Sequence, residues 1–323
     1  EKAIVNAMVG LMATGGSTNH TMHLVAIAKA AGIIINWDDF DKITKIIPLL
    51  TRIYPNGDAD INHFQAAGGM GVLIGELLEQ GLMHEDIVSV AATRGMSSYT
   101  QEPKLVDGEL VWEEGPGKSL DETVISTVAK PFSKSGGLHL IHGNLGRGMS
   151  KISAVAEEHQ IVEAAAMVFD DQDDVVACFK RGEMEKDLIV VLRFQGPKAN
   201  GMPELHKLTP LLGSLQDKGF HVAIVTDGRM SGASGKVPSA IHMCPECEEG
   251  GPLTRVQDGD MLHLNTQSGE LNILVEDDEF NARTPHVKVS TDHHYGMGRE
   301  LFDSFRKGVS SAETGAINMF NVE

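Results

Sequence analysis

In the first third of the chain, apolar positions recur at helical spacing. Residues 1–14 (EKAIVNAMVGLMAT) predict an amphipathic helix stopped by Gly15-Gly16. A second helix is predicted from Ser17-Thr18-Asn19 through His23 to about Ala31. Others are predicted over residues 37–50, where Asp38 and Asp39 suit the positive helix end, then over 69–78, 83–93 and near 120–128. Residues 60–69 are polar. Residues 97–117 read as surface loop or a small hairpin, because LVDGELVW carries an Asp-Gly turn signal.

From Gly136 onward the pattern changes to short apolar runs, at 138–141, 188–192, 222–225, 261–264, 271–275 and 286–289. Turns separate most of them, with helical insertions predicted over 173–181 and 204–215. Short strands punctuated in this way predict a sheet closed into a barrel or sandwich, with a domain boundary near Gly136.

The most informative stretch is 187–240. Its two strand patterns each open into a glycine-rich polar turn, Gly201-Met202-Pro203-Glu204 and Asp227-Gly228-Arg229-Met230-Ser231-Gly232. Glycine lets backbone approach a ligand closely. The pair predicts a site that takes a carboxylate from one turn and a hydroxyl from the other.

Composition narrows the reading. The 323 residues are 41% hydrophobic and 22% charged, as in a globular protein, and no apolar run approaches the roughly 20 residues a bilayer span requires. A formal net charge of −18 argues against non-specific nucleic-acid binding, while leaving room for a locally basic pocket. Three cysteines make no disulfide framework, and the expected home is the reducing cytoplasm. A start at Glu1 in full helical amplitude reads as a chain entered midway.

Each candidate has a plain alternative. Ser17, Thr18 and Asn19 suit a helix cap and equally an anion or substrate site at a helix start. Glu204, after Pro203, reads as a first-turn helix acid or as a ligand for a hard cation such as Mg²⁺. Ser231 is a turn former or a reactive serine; no base is close in sequence, so its activation would fall to a metal or cofactor. Cys244-Pro245-Glu246-Cys247 is a lone C-x-x-C, weak as a zinc motif, and Cys178 reads as a small buried apolar residue on a helix. His293-His294 reads as surface loop. A third glycine turn at 143–146 lies among His139, His142, Arg147 and Lys151. With Lys198, Arg229 and Lys236 near the other two turns, a small anionic ligand is favoured over a protein partner.

Together, GGSTNHTMHLVAIA, INHFQAAGGMG, GGLHLIHGNLGRG, VLRFQGPKANGMPELHKLTP, VTDGRMSGASGKVPSAIH and GMGRELF resemble the dehydratase family of dihydroxy-acid, aldonate and 6-phosphogluconate dehydratases. The resemblance runs in order over essentially the whole chain, and its FQGP and DGRMSGASGK variants resemble those of the phosphogluconate branch. It implies an α/β protein: the C-terminal part of an α/β domain over 1–135, then a β-barrel-like, swivelling domain over 136–323. It further implies a hydro-lyase of the Entner–Doudoroff route that converts 6-phospho-D-gluconate to the 2-keto-3-deoxy acid. Glu204 matches the family's magnesium ligand and Ser231 its proton-abstracting base; Arg229 and Lys236 are phosphate candidates, with Arg299 behind them. The implied cofactors are a divalent cation and a 4Fe–4S cluster whose cysteines lie in an N-terminal region not found in this sequence. A homodimer is the implied assembly, and a fragment of this extent is expected to be inactive alone.

Overall fold

The computed structural model describes residues 1–90, 95–231, 235–288, 296 and 298–319. The chain divides into two compact units, one of residues 1–16 with 39–138 and the other of 17–38 with 139–323.

The first unit is mainly helical. Helix α1 (Lys2–Thr14) ends on Gly15 in the left-handed conformation, the C-cap that only glycine adopts without a Cβ penalty. Helix α2 (His20–Ala30) belongs to the second unit, and α3 (Trp37–Thr44) stops well short of residue 50. Beyond it, Leu49 and Thr51 sit in isolated β-bridges to Ser133 and Ile125. Helix α4 (Ile61–Ala66) arises where only polar sequence was evident, because Asp60 caps it with His63 in a reciprocal box. Helix α5 (Gly69–Glu79) follows. The helix expected over 83–93 is absent from its described part, 83–90, and the one near 120–128 is a series of turns. Strands β1 (Gln101–Val106) and β2 (Glu109–Glu114) form the hairpin, with Asp107 and Gly108 both at positive φ as a two-residue turn requires.

The second unit is built on eight strands. They are β3 (Leu138–Gly143), β4 (Gly146–Lys151), β5 (Ile161–Phe169), β6 (Leu188–Leu192), β7 (Val222–Thr226), β8 (Ser239–Cys244), β9 (Met261–Asn265) and β10 (Glu270–Ile273). They close into a barrel in the order β10-β3-β4-β8-β7-β6-β5-β9. Strands β5 to β8 are mutually parallel, with helices α6 (Gln172–Lys180), α7 (Pro197–Asn200) and α8 (Leu208–Asp217) in the crossovers.

The period-two rule sorts the side chains. Ile189, Val191, Ala223, Val225, Leu262, Leu264 and Leu271 fill one core, while Leu188, Val190, Leu192, Val222 and Ile224 meet Val175 and Cys178 of α6 and Leu208, Leu212 and Leu215 of α8 in another. Strands β6 and β7 are thus buried on both faces, which explains their unbroken apolar sequence. The run at 286–289 forms no strand over its described residues 286–288; Val289 and His293-His294 lie outside the described residues, as does the side chain of Arg299.

Candidate active site

The parallel strands end in the loops that carry the candidate residues. After β6 the chain runs through Phe194 to Glu204, and after β7 through Asp227 to Ser231. One backbone bridge links Glu204 with Arg229, and the Leu205 amide donates to the Arg229 carbonyl at 3.2 Å. Glu204 is therefore not a first-turn helix acid, because α8 begins only at Leu208. The backbone N–H and C=O groups around it are engaged across the loops, which holds the chain extended there.

Arg229 reaches back along the same contact. Its Nη1 lies 2.9 Å from Glu204 Oε1 and its Nε donates to the Met202 carbonyl at 2.6 Å. Met202 has φ of 53°, and Phe194 and His242 are likewise in the left-handed region at 57° and 59°. Of these, Met202 accepts directly from Arg229 and the His242 amide donates to the Gly228 carbonyl, so two residues in this costly conformation adjoin the Arg229 loop.

Residues 17–19 join this group from another part of the sequence. The side chain of Asn19 does not cap α2; its Nδ2 donates to the Met230 carbonyl at 3.2 Å, next to half-buried Ser231. Asn19 Oδ1 is buried and unpartnered. Ser17 Oγ takes the Asn19 amide instead, so the turn and the cross-loop contact are divided between two residues. Thr18 is buried and its carbonyl accepts from the Thr21 hydroxyl, a local role. Lys236 is exposed on the far arm of the same loop, beyond residues 232–234, which lie outside the described residues.

Two histidines escaped the sequence reading. His242 on β8 is fully buried, both ring nitrogens lack partners, and its ring lies 6.4 Å from that of Trp37. Burial, then the nearby charges of Arg229 and His23, pull its pKa down to about 3, so it is a neutral imidazole. His23 is lowered by burial, by His20 and by Arg229. The available signal for His242 was a polar residue at an inward-reading position between Ile241 and Met243.

On their own, the described residues do not complete a site for the implied cation, and the cysteines implied for the cluster lie outside this sequence. Glu204 is a single carboxylate already engaged by a guanidinium, and no three His, Cys, Asp or Glu side chains converge among the described residues. Cys178 faces the helix-covered side of the sheet and Cys247 the barrel interior. Burial drives the Cys247 thiol well above its usual pKa and Cys244 up to about 12, the opposite of what a thiolate ligand needs. The sulfur of Cys178 is engaged with Glu183.

A carboxylate, a guanidinium, a hydroxyl and an amide thus lie on the segments that follow the parallel strands and precede α2, with the buried imidazole of His242 on β8 and the exposed one of His23 on α2 near Arg229. Residues 1–97 and 123–316 match the N-terminal and C-terminal models of the dihydroxy-acid/6-phosphogluconate dehydratase family, and the chain belongs to that family. It is 60% identical to a phosphogluconate dehydratase of Pseudomonas aeruginosa over 98% of its length, which is 52% of that protein. Identity is 57% to the phosphogluconate dehydratase of Escherichia coli K12, with the same coverage. A dihydroxy-acid dehydratase of Ruminiclostridium cellulolyticum is 34% identical over 98% of the chain and 54% of that protein. The chain thus spans about half the length of the curated relatives it matches. No helix among the described residues is long and apolar enough to cross a membrane.

Proposed function

We propose that the protein to which this chain belongs is a hydro-lyase that dehydrates 6-phosphogluconate to the 2-keto-3-deoxy-6-phospho acid, in the cytoplasm and as a homodimer. Within this reading, residues 1–135 continue an α/β domain and 136–323 form its swivelling partner. The observation that carries the reading is the convergence of Asn19, Glu204 and the Arg229-Met230-Ser231 segment, three pieces of sequence that the family resemblance marks separately. Names of relatives at 53–60% identity support the phosphorylated acid as substrate.

The reaction removes the proton from C2 and hydroxide from C3, releasing water, and the resulting enol tautomerises to the ketone. In this reading Ser231 Oγ takes the C2 proton. Arg229, held by Glu204 and the Met202 carbonyl, supplies fixed positive charge beside the enolate that develops. Asn19 is a candidate for a substrate hydroxyl, since its buried Oδ1 needs a donor. Ser17 and Thr18 shape the turn that presents it, and Lys236 is the exposed cation available to a phosphate. Divalent-cation and 4Fe–4S chemistry belongs to the family resemblance, and no step is assigned to it on these residues.

The experiment is product formation by the full-length protein, prepared without oxygen and offered 6-phosphogluconate and gluconate side by side. Preference for the phosphorylated acid is expected. Equal use of both would remove the phosphate subsite while retaining dehydration, and turnover of neither would overturn the reading. Ser231→Ala is expected to abolish turnover with metal content unchanged; retained turnover would remove Ser231 from the reaction.

A further inference from the structure

Two buried carboxylates outside the reacting group sit where three loops meet. Asp227, fully buried, accepts the Gln195 amide at Oδ1 (2.9 Å) and the Cys247 amide at Oδ2 (2.8 Å). Glu246, 2% exposed, accepts the Lys198 amide at both oxygens (3.1 Å each) and the Ala199 amide at Oε2 (3.2 Å). The partners of both residues lie on the stretch between β6 and Glu204 and on the turn after β8. Asp227 itself begins the loop that leads to Ser231.

The loops approach so closely that side chains are excluded. A Cβ on Gly196 would fall on the Glu246 carboxylate, and one on Gly228 would come within 2.6 Å of Gln195 Cβ. Burying two carboxylates is expensive: burial raises the pKa of each above the ordinary carboxylate value, and for Glu246 the charges of Asp227 and Glu249 add to it. Neutral apolar residues would fill the same volume at less cost. What they could not supply is acceptor oxygens directed at four named backbone amides.

We propose that Asp227 and Glu246 are positioning residues, which fix the loop bearing Glu204 against the loop bearing Arg229 and Ser231. The role rests on the dehydratase reading above. Through Gln195, Lys198 and Ala199 they set the course of residues 195–204, and through the chain of Asp227 itself they set where Arg229 and Ser231 begin. Cys244-Pro245-Glu246-Cys247 is thereby given a use other than metal binding: it delivers Glu246 and the Cys247 amide and thiol to the loop junction.

The test uses the full-length protein with Glu246→Gln and Asp227→Asn, each nearly isosteric, and two measurements. Amide hydrogen exchange is read on residues 195–204 and on β6 as an internal reference. Turnover of 6-phosphogluconate is resolved into kcat and KM. Expected are at least tenfold faster exchange on 195–204 with β6 unchanged, and kcat lowered about 10- to 100-fold with KM changed less than threefold, as misplacement of a reacting group predicts. Unchanged exchange, unchanged kcat, or equal loss of protection in β6 would each overturn the proposal. Glu246→Asp, which keeps the charge and withdraws it by one methylene, is read in the same way if Glu246→Gln fails to fold; failure of both would make the role one of general stability and overturn positioning. An inactive wild type would instead overturn the dehydratase reading, while the exchange result still decides whether these carboxylates hold the loop.

Discussion

Glu204 and Arg229, 25 residues apart in sequence, are joined twice, by a parallel backbone bridge and by a 2.9 Å contact between their side chains. The guanidinium also donates to the Met202 carbonyl, so it is held at two points on one loop. A lysine would keep the charge and lose the fork that makes both bonds.

Arg229→Lys in the full-length protein should therefore lower kcat/KM by about 100-fold, while the urea midpoint moves little. The pair is partly exposed, at 28% and 43%, and such pairs contribute only about 0–1 kcal/mol. A large fall in stability with unchanged kinetics would contradict this division.

Glycines in the second unit divide by the space around them. A Cβ on Gly143 would collide with the Leu271 carbonyl oxygen at the junction of β3 and β10, whereas one on Gly213, inside α8, would meet nothing within 4 Å. Gly143→Ala should destabilise by at least about 2 kcal/mol, because backbone must shift to accommodate it. Gly213→Ala should stabilise by about 0.5–1 kcal/mol through helix propensity. Denaturant midpoints measured side by side check both signs.

Ile224 offers the corresponding test of the helix-covered core. It is fully buried on β7 among residues of α6 and α8. Ile224→Ala should cost about 2–5 kcal/mol, since a double-sided strand in a closed barrel cannot collapse onto the cavity. A loss under 1 kcal/mol would indicate that the sheet and its helices are not packed as described.

How much of this was legible in the sequence depended on burial. Strands β6 and β7 were visible because both faces are covered and every position is apolar. Strands β4, β5 and β8 were not: GRGMSK and SAIHMC interleave polar residues, and IVEAAAMVF has the alanines and glutamate of a helix. The local sequence favours a helix at Glu204 because Pro-Glu is a common helix opening, and only the pairing with Arg229, non-local in sequence, overrides it. The site's separate motifs were legible as glycine turns, and their convergence through Asn19 was not, because that contact spans 211 residues. His242 and Glu246 were hidden for a related reason: their significance is burial, without ring partners for His242 and against the amides of a distant loop for Glu246, which is a property of the fold.

Those last two residues give a paired pH dependence. Glu246 is raised by burial to about 7 from 4.5, so between these values the native state binds more protons than the unfolded chain, and stability falls as pH rises. Asp227, raised by burial, acts with the same sign. His242 is lowered to about 3 from 6.5, so in its window the unfolded chain binds more protons, and stability falls as pH drops. The two slopes oppose one another between pH 4.5 and 6.5. Glu246→Gln should expose the histidine slope, giving stability that rises with pH across that window more steeply than wild type. His242→Leu should expose the carboxylate slope and reverse the trend, with little change near neutrality because a neutral imidazole without partners is replaced by an apolar side chain. Urea midpoints across the window, measured for wild type and both variants, decide the matter: three parallel profiles would show that neither group is perturbed as its burial requires.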